Sequence, residues 1–213
     1  MNGAARMIQR GNTMLTLYDS AISGNAYKVR LILSHLGLSA KRIEMNVDDG
    51  STRTPDFLKV NRNGKVPAII LEDDTALSES DAILYYFAEG TPYWPSDKLE
   101  RARVLQWMFF EQYNHEPTIA VVRHWVAHLG KTPANEPALP GKIAAGYRAL
   151  DVMEEQLKTS DYFVGKGYTI ADIALYAYTH VAHEGGFDLG RYPAISAWLK
   201  RVAGQPGHIR ITD

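Results

Sequence analysis

Residues 14–47 read MLTLYDSAISGNAYKVRLILSHLGLSAKRIEMNV, and the changes of period within them decide the fold. Leu15 and Leu17 alternate with polar neighbours up to Tyr18, the period of a half-buried strand. Asp19, Ser20, Ser23 and Gly24 break the alternation. Val29, Ile32, Leu33 and Leu36 then recur at helical spacing until Gly37, a residue type that ends helices because it accepts a left-handed backbone. Ile43, Met45 and Val47 alternate again. The stretch predicts a strand, a helix starting near Asn25 or Ala26, and a second strand. Such a βαβ unit favours a parallel pair.

Toward the C-terminus, Thr54 to Asn61 predicts a short helix and Val66 to Leu71 a buried strand. Asp73-Asp74 predicts a turn into a short strand ending at Leu77. Ser78 and Asp81 have capping-box spacing ahead of the apolar positions Ile83, Leu84 and Phe87. Residues 14–90 therefore read βαβαββα. Gly90, Thr91, Pro92, Pro95 and Ser96 form a turn-rich connector, and beyond it strand patterns vanish. Leu105, Met108 and Phe109 start a long helix, which the Asn114 to Pro117 stretch is expected to interrupt. Ile143, Tyr147, Leu150 and Leu157 mark another helix, and Ile195, Trp198, Leu199 and Val202 a third behind Pro193. Thr169 and Asp172 repeat the capping-box spacing before Ile173, Ala177 and Val181. Residues 97–205 read as an all-helical second domain. In the other direction, Met1 to Thr13 shows no period and reads as a tail or a mistaken start.

With 213 residues, 46% of them hydrophobic and 22% charged, the chain has material for a large core. A net charge of -1 provides no basic field for a phosphate backbone, so nucleic acid is a poor partner. No run of about 18 apolar residues spans a bilayer, and no signal core opens the chain; the expectation is a cytoplasmic protein that does not enter membranes. With no cysteine, the chain has no disulfide, thiolate metal site or cysteine nucleophile, and any sulfur chemistry must use a ligand's sulfur. His124 and His128 are four apart and His180 and His183 three apart; such pairs are more often surface or interface residues than metal ligands, and no metal is expected. His115-Glu116 fails the zinc-peptidase pattern, because Ile119 stands four after His115. No glycine-rich phosphate loop or dinucleotide fingerprint occurs.

Four segments of this cysteine-free chain carry a family resemblance: YDSAISGNAYKVRLIL from Tyr18 to Leu33, NRNGKVP from Asn61 to Pro67, Glu79-Ser80, and the Thr169 to Asp172 box. Together they make residues 14 to about 202 resemble the cytosolic glutathione transferase superfamily, and the Ser-Gly-Asn-x-x-Lys-Val stretch is similar to its bacterial serine-type, theta-, delta- and nu-like branches. The resemblance implies a thioredoxin-like first domain that grips glutathione as co-substrate, an all-helical domain that completes an acceptor pocket, and a homodimer.

It also implies roles. Ser23 matches the serine that contacts the sulfur, and Asn25 a sulfur-side residue of nu-like relatives; Ser20 and Tyr18 are neighbouring hydroxyls. Val66 matches the residue whose backbone pairs with the cysteinyl part, ahead of a cis proline at Pro67. Lys65 would reach the glycyl carboxylate, Ser80 the γ-glutamyl carboxylate and Glu79 its ammonium. Tyr113 and His115 are the acceptor-side candidates. Each also has a plainer reading: Ser23 and Asn25 as loop and cap residues, Ser78, Glu79 and Asp81 as favourable groups at a helix start, Lys65 as a solvated lysine. The chemistry is feasible, since a free thiol titrates near about 8.5 and lowering it by one unit takes about 1.4 kcal/mol, within reach of one charge-directed hydrogen bond. The leading expectation is glutathione transfer to a small apolar electrophile. The alternatives are disulfide reduction by two glutathiones, which Asn25 favours, and a non-catalytic interaction module on the same fold.

Overall fold

The computed structural model describes residues 14–213, so the reading of Met1 to Thr13 lies outside the described residues. The first half runs β1 (Leu15–Asp19), α1 (Gly24–His35), β2 (Ala40–Glu44), α2 (Pro55–Val60), β3 (Ala68–Ile70), β4 (Ala76–Ser78) and α3 (Ser80–Ala88). The expected βαβαββα order is observed. Its sheet has the order β2-β1-β3-β4. β1 and β2 are parallel with Leu17 opposite Arg42, and β3 runs antiparallel to β1 with Leu17 opposite Ile69. β2 ends sooner than its alternation suggests. The Met45 N–H still reaches the Asp19 carbonyl at 2.8 Å, but Val47 is exposed and lies beyond the ladder.

The capping box expected at Ser78 is not formed. Ser78 belongs to β4, and Glu79 stands immediately before α3 with φ 69°, a left-handed value that is costly for a residue with a side chain. Asp81 does not turn back to the helix start, because its carboxylate is taken by the Lys28 ammonium at 3.1 Å.

The second half is helical. α4 (Lys98–Phe110) is capped by Asp97, whose carboxylate accepts from the Leu99 and Glu100 N–H groups. Pro117 does not interrupt it. The backbone instead widens into π turns over Glu111–Ala120, makes one α turn at Val121–Arg123 and widens again over His124–His128. The Thr118 hydroxyl, shared between the Asn114 and His115 carbonyls, compensates near a proline that has no N–H to give. The buried face of α4 is Val104, Trp107 and Met108, whereas Leu105 and Phe109 point outward, Phe109 being 68% exposed. Then follow α5 (Leu139–Leu157), α6 (Ile170–Thr179) and α7 (Pro193–Ala203). α6 is wholly buried, and the capping box of Thr169 and Asp172 is formed. The Asp172 carboxylate also accepts from the Phe163 N–H and the Trp198 indole, tying α6 to α7; burial raises it to about 6 against those donors.

One apolar core joins the halves, running from Tyr27, Leu31 and Ile32 of α1 and Leu84 of α3 to Trp107, Ile170 and Trp198. A polar group lies at this junction. The fully buried Lys28 ammonium donates to Glu111 at 2.7 Å, Asp81 at 3.1 Å and the Ser80 hydroxyl at 3.4 Å, which uses all three of its N–H bonds. Burial alone would lower Lys28, but the two carboxylates outweigh it and hold the ammonium above its ordinary value.

Lys28→Met leaves the buried Asp81 and Glu111 carboxyl groups without their cation, and removing one partner of such a cluster costs about 3–5 kcal/mol. Urea unfolding should show a loss of that size, with a smaller loss when Glu111→Leu is added, because fewer buried polar groups are then left unpaired. The buried His115 and the half-buried His180 supply a pH dependence. Burial lowers His115 to about 3 and His180 to about 4, so the unfolded chain protonates first as pH falls. The stability they contribute is complete above about 6.5 and is lost as pH falls from there through the folded values. Tm should therefore decline less steeply from pH 6.5 to 4 in His180→Phe, which keeps the stack on Tyr176, than in the parent; parallel curves would refute the assignment.

Candidate functional site

A cleft opens between the start of α1, the loop before β3, the start of α3 and the π-helical continuation of α4. It holds a cavity of about 420 Å³ lined by Ser23, Val47, Trp125 and Tyr178 among others, and a smaller one of about 80 Å³ lined by Asn25, Asn61, Glu79, Ser80 and Gln112. Lys65, Val66 and Glu116 line both.

Ser23 is the N-cap of α1, which begins at Gly24, slightly earlier than the sequence suggests. Its Oγ accepts from the Ala26 N–H at 3.2 Å. The plain capping role is thus real, and it leaves the hydroxyl proton available to an acceptor in the cavity. Ser20 is buried, its N–H bonded to Asp19, and Tyr18 packs on Phe57; neither lines the cavities.

Asn25 is tied on three sides. Its N–H donates to the Tyr178 hydroxyl at 3.2 Å, its Oδ1 accepts from Ser80 Oγ at 3.3 Å, and its Nδ2 donates to Glu116 at 3.3 Å. Tyr178 comes so close because residue 24 is glycine: a Cβ there would lie 2.5 Å from the phenol ring. Burial pushes the Tyr178 phenol up to about 12, so it remains a neutral hydroxyl. Arg123 also reaches across, donating to the Ile22 carbonyl at 2.6 Å while bound to Glu184 at 2.7 Å.

On the opposite wall, Asn61 donates to the Lys65 carbonyl at 2.7 Å and accepts from the Asn63 N–H, which shapes the turn leading to a cis Val66–Pro67 peptide. Asn63 in turn donates to Glu79 at 3.4 Å. Ser80 is buried beneath, whereas Lys65 is exposed and pairs with no carboxylate among the described residues. Ser23, Asn25, Lys65, Val66, Glu79 and Ser80 therefore meet at one cleft.

Tyr113 and His115 do not reach it. Tyr113 is 84% exposed, and His115 faces the core, where its Nε2 lies 2.8 Å from Thr179 Oγ1. The wide turns that begin at Glu111 rotate both away from the face a regular helix would present. Glu116, Arg123 and Tyr178 line the larger cavity instead. Those three occupy helical positions with no motif around them, and nothing in the sequence distinguishes them. Among the described residues, no group of three or more His, Cys, Asp or Glu is arranged to hold a metal ion.

Comparison with known proteins identifies the architecture. Residues 13–89 match the model of the glutathione S-transferase N-terminal domain, and residues 119–206 that of the C-terminal domain. The chain belongs to the glutathione S-transferase family. Among solved structures, a glutathione S-transferase from Pseudomonas fluorescens Pf-5 is 48% identical with a TM-score of 0.92, over 94% of this chain and all of that one. Ure2p in complex with glutathione is 26% identical with a TM-score of 0.81, over 93% of each chain. Among curated relatives, the disulfide-bond oxidoreductase YfcG of Escherichia coli K12 is 31% identical over 91% of this chain and 92% of its own. The transcriptional regulator URE2 of Saccharomyces cerevisiae is 27% identical over 92% of this chain, which spans 66% of that protein's length.

Gly24→Ala forces the new methyl into the Tyr178 ring, and overpacking of this kind costs about 1–3 kcal/mol. The Tm should fall accordingly. The double variant Gly24→Ala, Tyr178→Ala should lose less than the sum of the two single losses, since the contact is then absent.

Proposed function

We propose that this protein is a glutathione transferase that binds glutathione across the two cavities and activates its thiol for attack on a small apolar electrophile held in the larger one. The observation that carries the reading is the convergence of Ser23, Val66, Ser80 and Glu79 on one continuous cleft. Glu79 and Ser80 receive the ammonium and carboxylate of the γ-glutamyl end, Val66 the cysteinyl backbone and Lys65 the glycyl carboxylate. Ser23 donates to the sulfur. The start of α1 adds the positive end of its dipole. With the thiolate fixed beside the acceptor, sulfur forms a bond to the electrophilic carbon and the leaving group departs with its electron pair; proximity supplies much of the acceleration. The protein is assigned to the cytoplasm. The exposed side chains of Leu105, Phe109 and Tyr113, repeating every four residues, are assigned to contact a second copy in a homodimer.

A second reading is supported by the sulfur-side position of Asn25 and by the resemblance to YfcG, whose name is disulfide-bond oxidoreductase. One glutathione thiolate would attack a disulfide sulfur and expel a thiolate; a second glutathione would attack the resulting mixed disulfide, so two glutathiones are oxidised to one disulfide while the substrate is reduced to two thiols. No protein thiol is needed. The resemblance to the transcriptional regulator URE2 supports a third reading, in which the fold serves as an interaction module.

Calorimetric titration with glutathione separates these. The parent should bind; Ser80→Ala should weaken binding roughly tenfold, the size of a lost hydrogen bond to a charged group. Ser23→Ala should bind yet lose the ultraviolet thiolate absorbance of the bound ligand. Turnover of an aryl halide against a disulfide then divides the two enzymes, and no affinity for glutathione leaves the interaction module.

A further inference from the structure

The larger cavity carries more charge than an apolar electrophile requires. Of its lining side chains, Arg53, Lys65, Arg123, His124 and His128 are basic and Glu116 alone is acidic. Three of the basic groups already face carboxylates that do not line the cavity. Arg123 binds Glu184 at 2.7 Å, His128 lies 4.0 Å from the same carboxylate, and His124 Nε2 is 3.3 Å from Asp48. The Asp48 contact crosses the cleft from the continuation of α4 to the loop after β2, so an oxygen anion demonstrably fits against this imidazole.

Arg53 differs from these. One N–H donates to the Asn63 carbonyl at 2.9 Å, and the guanidinium pairs with no carboxylate among the described residues. A guanidinium offers five N–H donors in a planar fork, which leaves most of this one uncommitted at the cavity wall. Glu116 is engaged by Asn25 near the sulfur end. Glu116, Ala120, His124 and His128 follow at intervals of four along the continuation of α4 and all line the cavity, so the two histidines lie successively farther along it from Glu116. Burial holds His128 below its ordinary value, with Arg123 adding to the effect, so it meets a ligand as a neutral N–H donor. The cavity thus has one end at Ser23 and Glu116, beside Asn25 of the smaller cavity, and another rich in donors, with Val47, Val121 and Trp125 contributing apolar wall.

We propose that the acceptor carries a carboxylate, which the uncommitted N–H groups of Arg53 and the imidazole N–H of His128 receive while the apolar wall covers the body of the molecule. This rests on the reading of the larger cavity as the acceptor site. Lys65 is left to the glycyl carboxylate.

The test uses a matched pair of electrophiles, 4-chloro-3-nitrobenzoate and its methyl ester, with the full-length protein and glutathione. In each, the thiolate sulfur bonds to the chlorine-bearing carbon, the carbon–chlorine bond breaks and chloride leaves with the electron pair. After division by the uncatalysed rate, kcat/KM should favour the carboxylate at least tenfold, and the ratio should fall toward one in Arg53→Gln and in His128→Gln. A parental ratio of one, or a preference for the ester, overturns the inference and leaves the transferase reading standing, because the ester is itself turned over. If neither compound is conjugated, the transferase reading falls, and calorimetry with S-(4-carboxybenzyl)glutathione and its methyl ester decides the inference separately. Tighter binding of the carboxylate by tenfold supports it, and equal affinity or no binding of either overturns it. Arg53→Gln weakening glutathione itself as much as the carboxybenzyl conjugate would assign Arg53 to the tripeptide and also overturn it.

Discussion

The cleft depends on an ammonium that never meets water. Lys28 projects from α1 into the junction of the two halves and spends one N–H on each of Ser80, Asp81 and Glu111. An ion buried in this way costs several kcal/mol unless its partners stay in place, so α1, α3 and the continuation of α4 cannot part without exposing unpaired charge. The same bond orients the ligand-facing groups. Because Ser80 Oγ accepts from Lys28, its own proton is directed to Asn25 Oδ1, and Asn25 in turn presents its amide N–H₂ to Glu116. The polar walls of both cavities are therefore set from behind by one side chain that touches neither cavity.

That arrangement has a charge balance of its own. Burial pushes Glu111 up to about 8 and raises Asp81 as well, so two carboxyl groups around one cation hold a proton between them at neutral pH. Glu111 Oε1 and His115 Nδ1 lie 4.0 Å apart, and neither has a hydrogen-bond partner among the described residues. Thr179 gives its own proton to the Leu175 carbonyl, so it accepts from His115 Nε2–H and leaves Nδ1 as a bare lone pair. A proton on Glu111 then faces a base, and the histidine that sequence reasoning assigned to the acceptor pocket is a member of this buried network.

The architecture was legible because it is written in local period. Leu15 and Leu17, then Val29, Ile32 and Leu33, mark strand and helix without reference to the rest of the chain, and the Thr169–Asp172 box forms as its spacing suggests. The misreadings have distant causes. Asp81 had the spacing of a cap but is claimed by Lys28, 53 positions away. Leu105 and Phe109 had the spacing of a core face, yet Val104, Trp107 and Met108 meet the core, and which of two apolar stripes turns inward is settled by packing. Site residues were readable where they sit in short irregular segments, as at Ser23 and Asn61 to Pro67. Glu116, Arg123 and Tyr178 come from helices, where a functional residue looks like any other.

Both ends of the segment from Ile22 to Asn25 are held by groups that also form the wall of the larger cavity: Arg123 on the Ile22 carbonyl and Tyr178 on the Asn25 N–H. Changes that reshape the wall at these two positions also disturb the backbone that presents Ser23 to the cleft. Under the proposed transferase reading, acceptor range and thiol reactivity are consequently not separate traits for selection to tune one at a time. Diversification is freer at Val47, Val121 and Trp125, which line the same cavity without bonding to the Ile22 to Asn25 backbone, so that new side chains there reshape the cavity and leave the presentation of Ser23 alone.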